Sequence, residues 1–128
     1  KGKTIESVMG NKKLVLCFID PTREPTRHLF KDIASLKTQF ESWGGTILFV
    51  IPSVKNTGDF HFEKWGFPKN IQFIVDEKSS FMKKLLKDTK IEFKEEYPLL
   101  FIINEKGEIT TKSEGYRIGA GEMLLKML

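Results

Sequence analysis

At 128 residues the chain is long enough for one domain with a buried core, and a content of 40% hydrophobic and 12% aromatic residues excludes a disordered tract. The net charge of +4 arises from 21 Lys and Arg against 17 Asp and Glu, interleaved along most of the chain. That pattern describes a mixed solvated surface and not a nucleic-acid footprint, which gathers its basic residues on one face.

No apolar run approaches the ~20 residues needed to span a bilayer. A single cysteine, Cys17, leaves no intrachain disulfide and no cysteine-rich metal site. The chain opens Lys1-Gly2-Lys3 without an initiating Met or a secretory signal, so the expectation is a mature protein or one domain of a longer one. No repeat, linker or low-complexity tract interrupts it, and residues 1–128 read as a single domain.

Thr4 to Met9, followed by Gly10-Asn11, reads as a short edge segment and turn. Leu14 to Ile19 is a continuous apolar run of strand length, the pattern of a strand covered on both faces. In the next segment Leu29, Ile33, Leu36, Phe40 and Trp43 recur at spacings of four, three, four and three, which predicts one helix with a core-facing stripe. Thr22 is the expected N-cap, Glu24 places negative charge at the positive end of the helix dipole, and Gly44-Gly45 stops the helix. Thr46 to Ile51 predicts a second buried strand. A loop and short helix around Asp59 to Trp65 follow, then a third strand over Ile71 to Val75 and a helix over Ser79 to Lys87. That helix turns Phe81, Met82 and Leu85 inward.

Pro98 to Asn104 and Glu108 to Lys112 predict a hairpin whose turn, Asn104-Glu105-Lys106-Gly107, sets glycine where positive φ is needed. Gly121 to Leu128 closes the chain as a helix with Met123, Leu124, Met127 and Leu128 as its apolar set. Strands alternating with helices and ending in a hairpin indicate an α/β domain with a mixed central sheet flanked by helices on both faces.

Leu14 to Arg27, Leu-Val-Leu-Cys-Phe-Ile-Asp-Pro-Thr-Arg-Glu-Pro-Thr-Arg, is an apolar strand, a turn and the start of the periodic helix. This layout resembles the first strand, active-site loop and first helix of thioredoxin-like proteins, above all the TlpA-type thiol-disulfide oxidoreductases and the peroxiredoxin-like branch. Tyr97-Pro98-Leu99-Leu100-Phe101-Ile102-Ile103 is similar to that family's cis-proline segment. Glu114-Gly115-Tyr116-Arg117 is similar to its ending, and Ile71 to Asp76 to its strand-and-turn. The resemblance implies a thioredoxin-like fold, a cis bond at Tyr97–Pro98, an extracytoplasmic (periplasmic) location and a bacterial source. Counted from the strand, the family's Cys-x-x-Cys falls on Arg23, Glu24, Pro25 and Thr26, so the proline is kept and both thiols are missing.

Thiol-disulfide exchange needs a thiolate of lowered pKa and a second thiol to resolve the mixed disulfide. Arg23 and Thr26 supply neither, so the expected state of the loop is redox-inactive, with no cofactor and no metal. Cys17 lies six positions before Arg23 on the strand, where a thiol reads as an inert core residue. An enzyme of the thiol-disulfide type with non-standard chemistry through Cys17 is the alternative. The two histidines, His28 and His61, are far from each other and from any metal-ligand spacing. Ser7, Thr22 and Thr26 lack the base and orienting group that would activate a hydroxyl. Glu95-Glu96 reads as a solvated loop.

What the resemblance leaves is the groove beside the missing thiols. In thioredoxin-like proteins the loop before the first helix and the cis-proline loop hold an extended peptide by strand addition. Here the groove would be built from Thr22, Arg23, Glu24 and Thr26 on one side and Tyr97 and Pro98 on the other. Arg23 and Arg27, four apart on the helix, form an anion site in one reading. In the other they are solvated or paired with Glu24 and Asp20. The expected partner is a peptide or a neighbouring domain of the same protein, or else the module supports a larger one. Phe60, Phe62, Trp65 and Phe67 either cap the sheet or form an exposed contact patch.

Overall fold

The computed structural model of the chain describes residues 13–52, 62–94 and 96–128. Among these residues five strands, β1 (Leu14–Phe18), β2 (Thr46–Ile51), β3 (Ile71–Val75), β4 (Leu99–Ile103) and β5 (Ile109–Glu114), form one sheet in the order β3-β2-β1-β4-β5. β1, β2 and β3 run parallel, while β4 is antiparallel to both β1 and β5. Among the described residues four helices accompany them: α1 (Glu24–Ser35), α2 (Lys37–Trp43), α3 (Ser80–Thr89) and α4 (Ala120–Met127). Tight 3-10 turns occupy Phe62–Trp65 and Glu77–Ser79.

The alternation of side chains along β1 divides the core into two layers. Val15, Cys17 and Ile19 face Leu29, Phe30 and Ile33 of α1, Phe40 of α2 and Leu124 of α4. Leu14, Leu16 and Phe18 face the opposite way, toward Met82 of α3. Both layers are apolar, which is why the strand shows a continuous hydrophobic run and no period of two. The mixed sheet with helices on both faces is therefore the architecture that the order of elements indicated.

Several details differ from the sequence reading. The stripe from Leu29 to Trp43 does not form one helix, because the chain breaks at Leu36 (φ −110°, ψ 28°). Ser35 Oγ donates to the Asp32 carbonyl at 2.8 Å, while the Leu36 amide is shared between the Asp32 and Ile33 carbonyls. A serine hydroxyl competing for a backbone acceptor disturbs the helical ladder at that point. The N-cap of α1 is Arg23 and not Thr22, and Pro25 lies in the first turn, where a missing amide costs nothing. β5 runs on to Glu114 with a register shift at Ile102/Ile103. In α4, Leu124 is buried and Leu128 is half-buried, but Met123 and Met127 are 56% and 48% exposed and do not join the core.

Other expectations hold. Gly44 ends α2 at φ 83°, and Gly107 closes the β4–β5 turn at φ 83°. Trp65 and Phe67 pack on Phe30, and Phe67 also on Phe49 and Phe73, so these two aromatics cap the sheet. The Thr4–Met9 segment, Asp59, Phe60, His61 and Glu95, and the side chain of Phe62, lie outside the described residues.

Candidate functional site

The register of β1 against β4 brings the two predicted halves of the groove together. Phe18 is paired with Leu99, so the loop that leaves β1 at Ile19 runs beside Tyr97-Pro98, the segment that enters β4. The Tyr97–Pro98 bond is cis.

Asp20 organises the loop. Its carboxylate is buried, and Oδ1 accepts hydrogen bonds from the Thr22 amide at 3.1 Å and the Thr22 hydroxyl at 2.6 Å. The amide bond two residues ahead makes this an Asx turn. Oδ2 accepts from Arg23 Nε at 3.2 Å, and the Arg23 amide donates to the Asp20 carbonyl at 3.0 Å. From the helix, fully buried Thr26 turns its Oγ1 back to accept the Asp20 amide at 3.3 Å. Thr22 and Thr26 therefore fasten the loop from both ends, and Thr22, one residue before the Arg23 N-cap, donates its hydroxyl to Asp20.

Arg23 links the two halves. While Nε is held by Asp20, its guanidinium lies over the Tyr97 ring, 5.6 Å from the centroid. An exposed cation–π contact of this kind contributes ~0.5–1 kcal/mol. Tyr97 in turn meets Phe93 edge to face at 5.4 Å. The Pro98 carbonyl accepts the Gly115 amide at 2.9 Å, tying the segment to the end of β5. Glu24 and Arg27 are exposed on α1, and Arg27 forms no ion pair among the described residues. Of the two readings of the arginines, pairing with Asp20 holds for Arg23.

Cys17 is fully buried between Phe49 of β2 and Leu100 of β4 in the central strand. Burial pushes its thiol well above the ordinary range, because the thiolate would lose its hydration. Such a group is not a nucleophile in the folded state.

A second polar cluster lies past Pro98, and the sequence reading missed it. Asp32 of α1 accepts the Tyr116 hydroxyl at 3.0 Å and the Gly121 amide at 3.2 Å. The Tyr116 ring stacks on exposed His28 at 5.3 Å. Burial, then the hydrogen bond and charge of Asp32, raise the Tyr116 hydroxyl above its usual value, against a smaller opposing bond from the Gly119 backbone. Among the described residues no three His, Cys, Asp or Glu side chains gather as a metal site.

No protein-family model matches the chain, and no curated protein matches it. Solved structures do. The thioredoxin domain of a thiol-disulfide oxidoreductase from Bacteroides vulgatus superposes with a TM-score of 0.71 at 15% identity, over 99% of this chain and 86% of that one. The fold is thioredoxin-like. Peroxiredoxin Q from Xanthomonas campestris gives a TM-score of 0.68 at 20% identity, over 98% and 82% of the two chains. The exposed lipoprotein thioredoxin of Streptococcus pneumoniae gives 0.61 at 21%, over 95% and 89%. At such identities the likeness concerns architecture, and the thioredoxin-like frame says where a site lies without saying what it does.

Proposed function

We propose that this chain is a redox-inactive thioredoxin-like module that holds an extended peptide, or a segment of a neighbouring domain, between the loop after β1 and Tyr97-Pro98. The observation that carries this reading is Arg23. It stands at the N-terminus of α1, where the resemblance sets the attacking cysteine, and is tied to Asp20 on one side and Tyr97 on the other. Thr26 stands where the resolving thiol would be and is committed to the Asp20 amide. A guanidinium can neither attack nor carry a disulfide, but it can bind a carboxylate, and the bond to Asp20 uses Nε. Arg27, one turn along the same helix, adds a second positive charge at the positive end of the helix dipole, where both attract an anion.

An acidic, extended ligand suits this cationic rim, with main-chain bonds for affinity and side chains for selectivity. An extracytoplasmic setting is part of the proposal. It rests on the TlpA-type resemblance and on the likeness to an exposed lipoprotein thioredoxin. Chemical-shift mapping with short acidic peptides tests the reading. Shifts are expected over residues 22–28 and 96–99. A map in which acidic peptides leave both segments untouched overturns it.

A further inference from the structure

Beyond Pro98 from the loop lies an apolar pocket of about 90 Å³. Its floor is built from buried Leu29, Pro98, Leu100 and Leu124, and its rim from Met123 and Met127. Tyr116 forms part of the wall. Of the four large apolar side chains that are exposed among the described residues, Met123 and Met127 line this pocket. The sequence pattern assigns Met123 and Met127 to the core, yet the fold leaves both outside it, around an opening.

Size and charge define what could enter. An engineered cavity of ~150 Å³ admits benzene, whereas pockets for drug-sized ligands run to ~300–1,000 Å³. A space of about 90 Å³ therefore suits one aliphatic side chain and no cofactor. Among the described residues Arg117 is the one charged side chain lining it, and it forms no ion pair with any of them. A ligand that brings a carboxylate next to its apolar group meets both features. The pocket also shares Pro98 with the groove, so a strand lying along Tyr97-Pro98 has it within reach.

We infer that this pocket takes a single leucine- or isoleucine-like side chain of an extended peptide, with an adjacent acidic residue of that peptide paired to Arg117. The inference rests on the peptide-binding reading above and adds the side-chain specificity of the same site.

Random peptides displayed on phage and selected on the intact chain provide the test, followed by fluorescence anisotropy with the capped, labelled winners. Enriched peptides are expected to carry Leu or Ile beside Asp or Glu. Met123→Asp and Arg117→Glu, both at exposed positions, are each expected to weaken binding at least tenfold. Changing the peptide's aliphatic residue to alanine should do the same on the unaltered chain. Winners without an aliphatic–acidic pair overturn the pocket assignment. So does binding that falls with Arg23→Ala and Tyr97→Ala but is unmoved by Met123→Asp and Arg117→Glu, and in that case the groove reading survives. A selection that enriches no peptide removes both.

Discussion

Replacing Asp20 by alanine probes the loop where the structure concentrates its polar contacts. The substitution takes acceptors from the Thr22 amide, the Thr22 hydroxyl and Arg23 Nε together. Hydrogen bonds to a charged group contribute ~1.5–3 kcal/mol each when both partners are shielded. Thr22 is exposed, so water recovers much of its loss. The Arg23 side chain is 56% exposed, and its ion pair is worth no more than ~1 kcal/mol. The net expectation for Asp20→Ala is a loss of about 2–3 kcal/mol in unfolding free energy. Asp20→Asn keeps an acceptor for Thr22 and gives up the ion pair with Arg23, so it should cost about 1 kcal/mol. Urea unfolding with linear extrapolation measures both. A value for Asp20→Ala within ~0.5 kcal/mol of the parent, the range of an ordinary surface change, would refute the assignment of Asp20 as the organiser of the loop.

Three further outcomes are expected. Gly121→Ala should destabilise by about 1–3 kcal/mol even though alanine is the better helix former, because the added Cβ would stand 2.8 Å from Asp32 Cβ where α1 and α4 meet; a stabilised variant in thermal unfolding would contradict that contact. The Cys17 thiol should resist an aromatic disulfide reagent in the native chain and react fully in urea, and rapid native labelling would show that the strand opens. Because the folded thiol stays protonated while the unfolded one ionises above pH ~8.5, the Cys17 contribution is present below that pH and lost above it, at up to ~1.4 kcal/mol per pH unit. Cys17→Ala should flatten the decline in stability above that pH relative to the parent, and equal slopes would contradict a sealed thiol.

Much of this fold was legible because every strand but β5 is predominantly apolar and its breaks are marked by glycine. Leu14–Phe18, Thr46–Ile51 and Ile71–Val75 are such runs, and Gly44 and Gly107 take the left-handed conformations their positions required. What sequence could not resolve were decisions made by competing partners. Thr22 is a good cap by type, yet the Asx turn on Asp20 takes it into the loop and the helix starts one residue later, at the Arg23 cap. The Leu29–Trp43 stripe keeps helical spacing across Ser35, so periodicity did not expose the break there.

The site was half legible. Positions 22 to 27 and 97 to 98 came from the thioredoxin-like resemblance, but Asp20 entered only as a possible partner of arginine. Its place just before Pro21-Thr22 is an Asx-turn pattern that could have singled it out. The Asp32–Tyr116–His28 cluster joins residues 84 positions apart and left no local trace. Met123 and Met127 match a core-facing period in α4, and only the packed structure shows that both stay outside the core.

Reduction of insulin by the intact chain, run beside the Arg23→Cys/Thr26→Cys double variant, tests whether a thioredoxin-like frame persists here without its redox chemistry. The native chain is expected to be silent, and the double variant to gain turnover with a reactive pair of thiols at the start of α1. Turnover by the native chain would contradict the reading of Arg23, Thr26 and Cys17 together.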